Sequence, residues 1–256
     1  MAWRAAEDTV VVLPAFNEAA ALPRLLRRLA QAGGRDLHVL VVDDGSTDGT
    51  AAVAEACARD LPNLRVLRHA ANRGLGAALR SGWEAALAAG LADRGAIVTM
   101  DADDTHDPVL LGRLVGLIAQ GYDVAIASRF APGGGEVGLS LPRRALSRGA
   151  RIVLSACRRI PGVSDYTCGY RAYRVGALRR AFAAYGGAGL ITAPGFACTA
   201  EVLLKLAGLG ARCVETPFVL HYDQKSGRSK LRVLRTLLGY AQLLSATRAR
   251  RARRTA

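Results

Sequence analysis

Short runs rich in Val, Ile and Leu alternate with longer helical patterns along the first half of the chain. The runs are Thr9–Leu13, Leu37–Val42, Leu64–Arg68, Ala96–Met100 and Asp123–Ser128. Helices are predicted between them at about Glu18–Ala32, Asp48–Arg59, Leu75–Ala89 and Pro108–Gln120, the last with Asp107 as its N-cap. Such alternation predicts an α/β fold with a mostly parallel central sheet flanked by helices on both faces.

Polar residues follow three of these strands abruptly. The first is followed by P-A-F-N-E from Pro14, the second by D-D-G-S-T-D-G-T from Asp43, and the fourth by D-A-D-D-T-H-D-P from Asp101. Ligands of open α/β sheets bind outside the carboxyl ends of the strands, so these segments are expected to meet in one cleft. Their carboxylates would repel one another there unless cations or hydrogen-bond donors lie between them.

A turn with helix capping explains part of the second segment, since Gly45 suits a tight turn and Asp48 suits an N-cap, but it assigns nothing to Asp44. Capping explains Asp101 and Asp103 less well, because the following helix already has Asp107. Two carboxylates at i and i+2 of an extended segment can both reach one hard divalent ion such as Mg²⁺ or Mn²⁺. A metal site is therefore favoured over a structural role for this pair.

The segments P-A-F-N-E, V-V-D-D-G-S-T-D-G-T, N-R-G-L-G-A-A and M-D-A-D together resemble the inverting family-two glycosyltransferases of the nucleotide-diphospho-sugar transferase (GT-A, Rossmann-like) fold. The later segments S-R-F, R-R-A-L-S-R-G-A, D-Y-T-C-G-Y-R-A-Y-R and G-R-S-K are similar to polyprenol-phosphate glycosyltransferases of the dolichol-phosphate mannose synthase type. The similarity spans about residues 9–231 in order. It implies transfer of a hexose, GDP-mannose being the favoured source, to a polyprenyl phosphate.

The resemblance also implies roles for individual residues. It assigns nucleotide binding to Pro14, Phe16, Glu18, Val42, Asp44 and Ala102. It assigns the metal motif to Asp101 and Asp103, with Thr105 where relatives have Gln or Ser. It assigns phosphate contacts to Arg129 and Lys230 and the acceptor region to Arg144 and Ser147, while Glu201 also matches a family position. One departure is Gln224, which stands where family members often have a phosphate-binding Arg, so Lys225 or Arg228 is a candidate substitute.

Arg144, Arg148 and Arg151 fall at i, i+4 and i+7 within the basic stretch Arg143–Arg159, so one helical face would present three guanidinium groups. A solvated face is the plain explanation, and a site for an acceptor phosphate is the favoured one. The expected organisation is a catalytic domain over 1–230, with a sugar-donor half at about 9–130 and an acceptor half at about 131–230. An amphipathic helix and Arg-rich tail over 231–256 follow it.

Two acceptor chemistries remain open. A phosphate is already ionised at neutral pH and needs no general base, whereas a hydroxyl of a soluble metabolite, peptide or glycan needs one, for which Asp165 is the best candidate. A nucleic-acid-binding role is disfavoured despite the net charge of +14, because residues 225–256 hold ten Lys/Arg and no acid while the body carries an acidic cluster. We expect a cytoplasmic protein without a signal peptide or membrane-spanning helix. Two interpretations of its amphipathic tail stay open: the tail lies on an anionic membrane surface, or Leu231–Leu244 packs on the catalytic domain and leaves only the arginines free.

Overall fold

The computed structural model describes residues 9–34, 37–157 and 159–224. The strands are β1 (Thr9–Ala15), β2 (His38–Asp43), β3 (Leu64–Arg68), β4 (Ala96–Thr99), β5 (Val124–Ser128), β6 (Gly135–Val137), β7 (Arg171–Arg174), β8 (Cys213–Pro217) and β9 (Val219–His221). The α-helices are α1 (Leu22–Gly33), α2 (Thr50–Ala56), α3 (Leu75–Ala88), α4 (Leu111–Ala119), α5 (Leu141–Cys157), α6 (Val175–Leu190) and α7 (Ala197–Gly208). Short 3₁₀ turns cover Cys57–Arg59, Pro108–Leu110 and Tyr222–Gln224.

Seven strands of the described chain form one sheet in the order β3-β2-β1-β4-β7-β5-β8, and β6 pairs with β9 beside it. The pairs β1–β2, β1–β4, β2–β3 and β5–β8 are parallel. Strand β7 is antiparallel to both of its neighbours, β4 and β5. The predicted α/β class and mostly parallel sheet are confirmed, and β7 and β8 show that the second half of the chain contributes to the same sheet as the first.

The core lies on both faces of the sheet. Val10 and Val12 of β1 pack with residues of α3, α6 and α7 on one face, whereas Val11 and Leu13 pack with α1 and α4 on the other. The side chains of these four strand residues are fully buried. Continuous apolar runs are typical of strands that are covered on both faces, which is why the first half of the sequence predicted its strands closely.

Helix α1 begins at Leu22, four residues after the predicted start at Glu18. The N–H groups at the predicted start are instead held by the loop after β2 and by the first residue of α2: Asn17 N donates to Ser46 Oγ (2.9 Å) and Glu18 N to Thr50 Oγ1 (2.9 Å). Asn17 also has a positive φ of 53°, which a helix does not allow. By contrast, Asp107 accepts from Val109 N at 3.1 Å, as predicted for the N-cap of the segment that leads into α4.

Candidate active site

The carboxyl ends of β1 and β4 form the centre of the candidate site. The chain runs from β1 outward to β2 and β3 and then returns to β4 on the other side of β1, so the strand order reverses between β1 and β4. Such a switch point is where open α/β sheets bind ligands. A small cavity opens there, with a largely apolar lining that includes Pro14, Leu75, Asp101, Gly169 and Thr199.

The loops after β1 and β2 are joined by hydrogen bonds between side chains and main chain. Besides the bonds at Asn17 and Glu18, Thr47 N donates to Asn17 Oδ1 (2.9 Å) and Ala19 N to Asp48 Oδ2 (3.1 Å). This network holds Phe16, which is half-buried, and Glu18, which is 9% exposed, at the rim of the sheet. Two other predicted nucleotide-binding residues, Val42 and Ala102, have buried side chains.

Val42 and Ala102 are both buried in the apolar core, and Val42 faces Gly82 of α3. Their side-chain positions give no support to direct contact with a nucleotide. Pro14 lines the cavity, and Asp44 immediately follows β2. Turn and capping geometry assigned no role to Asp44, but the structure shows one. Its carboxylate accepts from Arg73 N (3.0 Å) and Gly74 N (2.7 Å) and contacts His69 Nδ1 (2.6 Å).

The predicted metal motif follows β4. The side chain of Asp101 is 32% exposed, and Asp103 Oδ1 accepts from Thr105 Oγ1 (2.6 Å) and Thr105 N (3.2 Å). His106, buried and stacked on Tyr170, accepts from Asp101 N at 3.1 Å. Among the described residues, no group of three or more His, Cys, Asp or Glu side chains is arranged to hold a metal ion.

The fourth residue of this motif, Asp104, fixes the loop to α1. Its side chain is fully buried, its φ is +59°, and it forms ion pairs with Arg24 and with Arg28 Nη1 (2.8 Å). Arg28 Nη2 reaches Asp107 as well (2.8 Å). The positive φ is rare for a residue other than glycine, and the two arginines stabilise the turn that requires it.

Arg129 and Asp165 meet on the acceptor side. Arg129 Nε and Nη2 donate to the two Asp165 oxygens, both at 2.8 Å, while Nη1 pairs with Glu136 (3.2 Å) and Nη2 also reaches Thr167 Oγ1 (2.7 Å). Burial alone would raise the pKa of the Asp165 carboxyl, but the Arg129 charge and the hydrogen bonds hold that pKa below its ordinary value. Asp165 is 0% exposed, so this geometry gives no support to Asp165 as a general base and instead makes it a partner that orients Arg129.

Helix α5 brings further arginines to the same region. Arg144 Nη2 donates to Glu136 O at 3.0 Å, and the guanidinium carbons of Arg129 and Arg151 lie 5.3 Å and 5.0 Å from the centre of the Phe130 ring. Arg144 Nε and Ser147 Oγ are buried atoms that have no hydrogen-bond partner among the described residues. Arg148 is exposed, and Lys230 lies outside the described residues.

Two residues that support the site, His69 and Glu215, were not singled out from the sequence. His69 and His106 each hold an aspartate of the site, and Glu215 accepts from Ser164 N (2.7 Å) and Asp165 N (2.5 Å) and so fixes the loop that carries Asp165. Glu201 accepts from Thr192 N and Ala193 N, both at 2.7 Å, and pairs with Lys205. No local pattern indicates the contacts of His69 and Glu215, because these residues lie 25 and 50 positions from the aspartates that they contact.

The profile of Glycosyl transferase family 2 matches residues 10–182. A polyprenol monophosphomannose synthase of Mycolicibacterium smegmatis is 39% identical over 67% of this chain, a match that spans 63% of that protein's length. An undecaprenyl-phosphate mannosyltransferase of Micrococcus luteus is 34% identical over 87% of this chain and 86% of its own. A dolichol-phosphate mannosyltransferase of Pyrococcus furiosus is 31% identical over 87% of this chain and 58% of its own.

Solved structures of glucosyl-3-phosphoglycerate synthase from Mycobacterium tuberculosis have the same GT-A fold. One, with Mn²⁺, uridine-diphosphate-glucose and phosphoglyceric acid, superimposes with a TM-score of 0.65 at 22% identity and covers 94% of this chain and 81% of its own. Another, with Mg²⁺ and uridine-diphosphate, gives a TM-score of 0.64 at 21% identity, covering 94% of this chain and 80% of its own. In the described part of the chain, the helices are all too short or too polar to cross a membrane.

Proposed function

This chain belongs to glycosyl transferase family 2, and from that membership we propose that it is a metal-dependent inverting hexosyltransferase that uses a polyprenyl phosphate as acceptor. GDP-mannose is the favoured sugar donor. The three mannosyl-transferring relatives support this choice, since two of them match over 87% of the chain.

The unpartnered hydrogen-bond donors of α5 carry the acceptor assignment. Arg144 Nε and Ser147 Oγ lie one helical turn apart, and Arg144 is joined through Glu136 to Arg129. A buried N–H without an acceptor costs free energy, so these groups favour a ligand that supplies acceptor oxygens. A phosphate monoester offers such oxygens together with the negative charge that matches the arginines.

The chemistry follows from an ionised acceptor. An oxygen of the lipid phosphate attacks the anomeric carbon of the hexose, the bond from that carbon to the diphosphate oxygen breaks, and the nucleoside diphosphate leaves with inversion. No proton has to be removed from the acceptor, which agrees with Asp165 being committed to Arg129. Arg129 and Arg144 would bind and orient the attacking phosphate.

Asp101, Asp103 and Thr105 are the residues that would hold Mg²⁺ or Mn²⁺. The fit rests on the donor set, because carboxylate and hydroxyl oxygens are the hard ligands that these ions prefer, and the partly exposed Asp101 lines the cavity. A divalent ion would neutralise the charge on the departing diphosphate. Hydrogen bonds from Thr105 fix the orientation of Asp103 for this role.

The direct test compares GDP-mannose, UDP-glucose and UDP-N-acetylglucosamine with a short-chain polyprenyl phosphate, with and without Mn²⁺. We expect GDP release that depends on both lipid phosphate and metal. Arg144→Met should raise the KM for the lipid phosphate roughly 10- to 100-fold, the loss typical of a hydrogen bond to a charged group. The matched control, Arg159→Met, changes an exposed arginine just beyond α5 and should leave that KM within about twofold.

Transfer only to a soluble hydroxyl-bearing metabolite or glycan would contradict the assignment of a lipid phosphate acceptor. It would favour a hydroxyl acceptor, which needs a general base. An unchanged KM in Arg144→Met, with transfer intact, would remove α5 from the acceptor site.

A peripheral membrane contact is part of the proposal. Leu141, Arg148 and Ile152 lie on one face of α5 and are exposed, Leu141 and Ile152 at 78% and 67%. The helix sequence contains no acidic residue, so its exposed face combines apolar and cationic groups that suit an anionic lipid surface. The predicted tail contact, including the helix and arginines of 231–256, falls outside the described residues.

The double variant Leu141→Ser, Ile152→Ser is expected to bind anionic liposomes at least about fivefold more weakly than the unaltered protein at low salt, since it removes apolar area at the lipid interface. Its turnover on a water-soluble short-chain acceptor should not change. Leu209→Ser, at the end of α7, is the control for an exposed leucine elsewhere. Liposome sedimentation measures both, and equal binding by all three proteins would refute a membrane role for α5.

A further inference from the structure

Three side chains form a hydrogen-bonded chain between the end of β2 and helix α3. Asp44 Oδ1 lies 2.6 Å from His69 Nδ1, and His69 Nε2 lies 3.0 Å from Ser81 Oγ. The side chains of Asp44 and His69 are each 4% exposed. The imidazole is thus held at both nitrogens in a nearly closed environment.

The donor and acceptor of each hydrogen bond among Asp44, His69 and Ser81 follow from the groups that they join. An ionised carboxylate only accepts, and Asp44 already accepts from Arg73 N and Gly74 N, so His69 Nδ1 is assigned the proton that it donates to Asp44. In the neutral ring Nε2 then accepts the hydroxyl hydrogen of Ser81. The order Ser–His–Asp also occurs in acyl-transfer triads, but Ser81 lies in the middle of α3 and the ring is almost fully covered.

The segment 69–74, which begins with His69, lies close to the end of β2. His69 N donates to Asp43 O at 2.9 Å. Gly45 has a φ of +71°, and a Cβ there would lie 2.4 Å from Ala71 C, so the two loops approach more closely than any other residue allows. The segment 69–74 leads directly into α3, whose first residue, Leu75, lines the cavity beside Asp101.

We propose that His69 is a positioning residue for the sugar-donor nucleotide. It does not touch the nucleotide. Its Nδ1–H fixes the carboxylate of Asp44. That carboxylate holds the N–H groups of Arg73 and Gly74, and so sets the position of the next residue, Leu75, which lines the cavity. Ser81 fixes the ring. This inference rests on the proposed function, because it assumes that the carboxyl ends of β1, β2 and β4 bind a nucleotide.

Two isosteric variants separate the contacts of the ring. The amide nitrogen of Asn can occupy the place of Nδ1, whereas that of Gln occupies the place of Nε2. His69→Gln should therefore lose the bond to Asp44 and bind GDP or UDP, with Mn²⁺ present, roughly 10- to 100-fold more weakly. His69→Asn keeps a donor to Asp44 but loses the contact with Ser81, and should bind these nucleotides about threefold to tenfold more weakly. Neither should change the KM for the lipid phosphate.

Calorimetric binding of GDP and UDP measures these changes without turnover. His38→Gln is the matched control, because His38 is a buried histidine at the opposite end of β2. If His69→Gln does not fold, Ser81→Ala decides, with an expected loss of about threefold to tenfold in nucleotide affinity. An unchanged nucleotide affinity in His69→Gln overturns the positioning role of His69. If His69→Gln does not fold, an unchanged affinity in Ser81→Ala overturns it. A loss of affinity in His38→Gln as large as that in His69→Gln overturns it as well. If the unaltered protein binds no nucleoside diphosphate, it is the proposed function that fails, and the role of His69 falls with it.

Discussion

Asp103→Ala is expected to lower the transfer rate by a factor on the order of 1000 while leaving the fold nearly as stable as before. A bound metal ion supplies several kcal/mol of charge stabilisation in the transition state, and each 1.36 kcal/mol is tenfold in rate. The loss of two hydrogen bonds from Thr105 costs stability. Removing one of the neighbouring carboxylates relieves repulsion and offsets part of that cost.

Asp103→Asn is the matched control for stability, because its amide oxygen still accepts from Thr105 but carries no charge. It should be as inactive as Asp103→Ala and closer to the unaltered protein in melting temperature. Initial rates over a Mn²⁺ titration and thermal melts measure the two effects. Near-normal turnover of Asp103→Ala at limiting metal would exclude Asp103 as a ligand.

Arg129→Met is expected to lower the free energy of unfolding by about 3–5 kcal/mol, because it leaves the fully buried Asp165 without its cation. Turnover should fall as well, since a fork of charged hydrogen-bond donors is lost. The double variant Arg129→Met, Asp165→Asn removes the unpaired charge and should recover part of the stability but not the activity. Denaturant unfolding measures all three proteins.

The stability deficit of Arg129→Met should also depend on pH. In the unaltered protein the pKa of Asp165 is below its ordinary value. The Arg129–Asp165 pair therefore stabilises the fold fully above the pKa of the unfolded carboxyl, about 3.9. This stabilisation is lost as the pH falls through the pKa of Asp165 in the folded protein. Without Arg129 the burial of Asp165 raises that pKa, and protonation then favours the folded state. The deficit should thus be larger at pH 7 than at pH 4, and a deficit under about 1 kcal/mol at pH 7 would contradict the buried ion pair.

Features that depend on neighbouring residues were predictable from the sequence. Strands β1 to β5 were placed within about two residues because apolar runs are bounded by turn residues, and Asp107 was recognised as a cap from its position before Pro108. Features that depend on distant residues were not. Arg28 pairs with Asp104 across 76 positions, and His69 reaches Asp44 across 25. The burial of Asp165 likewise depends on Glu215 and Arg129, which no local pattern associates with it.

The place of β7 bears on how the chain completes its sheet during synthesis. Strands β1 to β4 are paired among themselves, but the partners of β5 in the described chain are β7 and β8. When the ribosome has made only the first 170 residues, the β5 segment has neither partner, and its exposed edge is prone to pair with other chains. Once residues 171–174 have left the ribosome, β7 can insert between β4 and β5 and join the two parts. Released fragments that end shortly before and shortly after this strand should therefore differ sharply in resistance to protease.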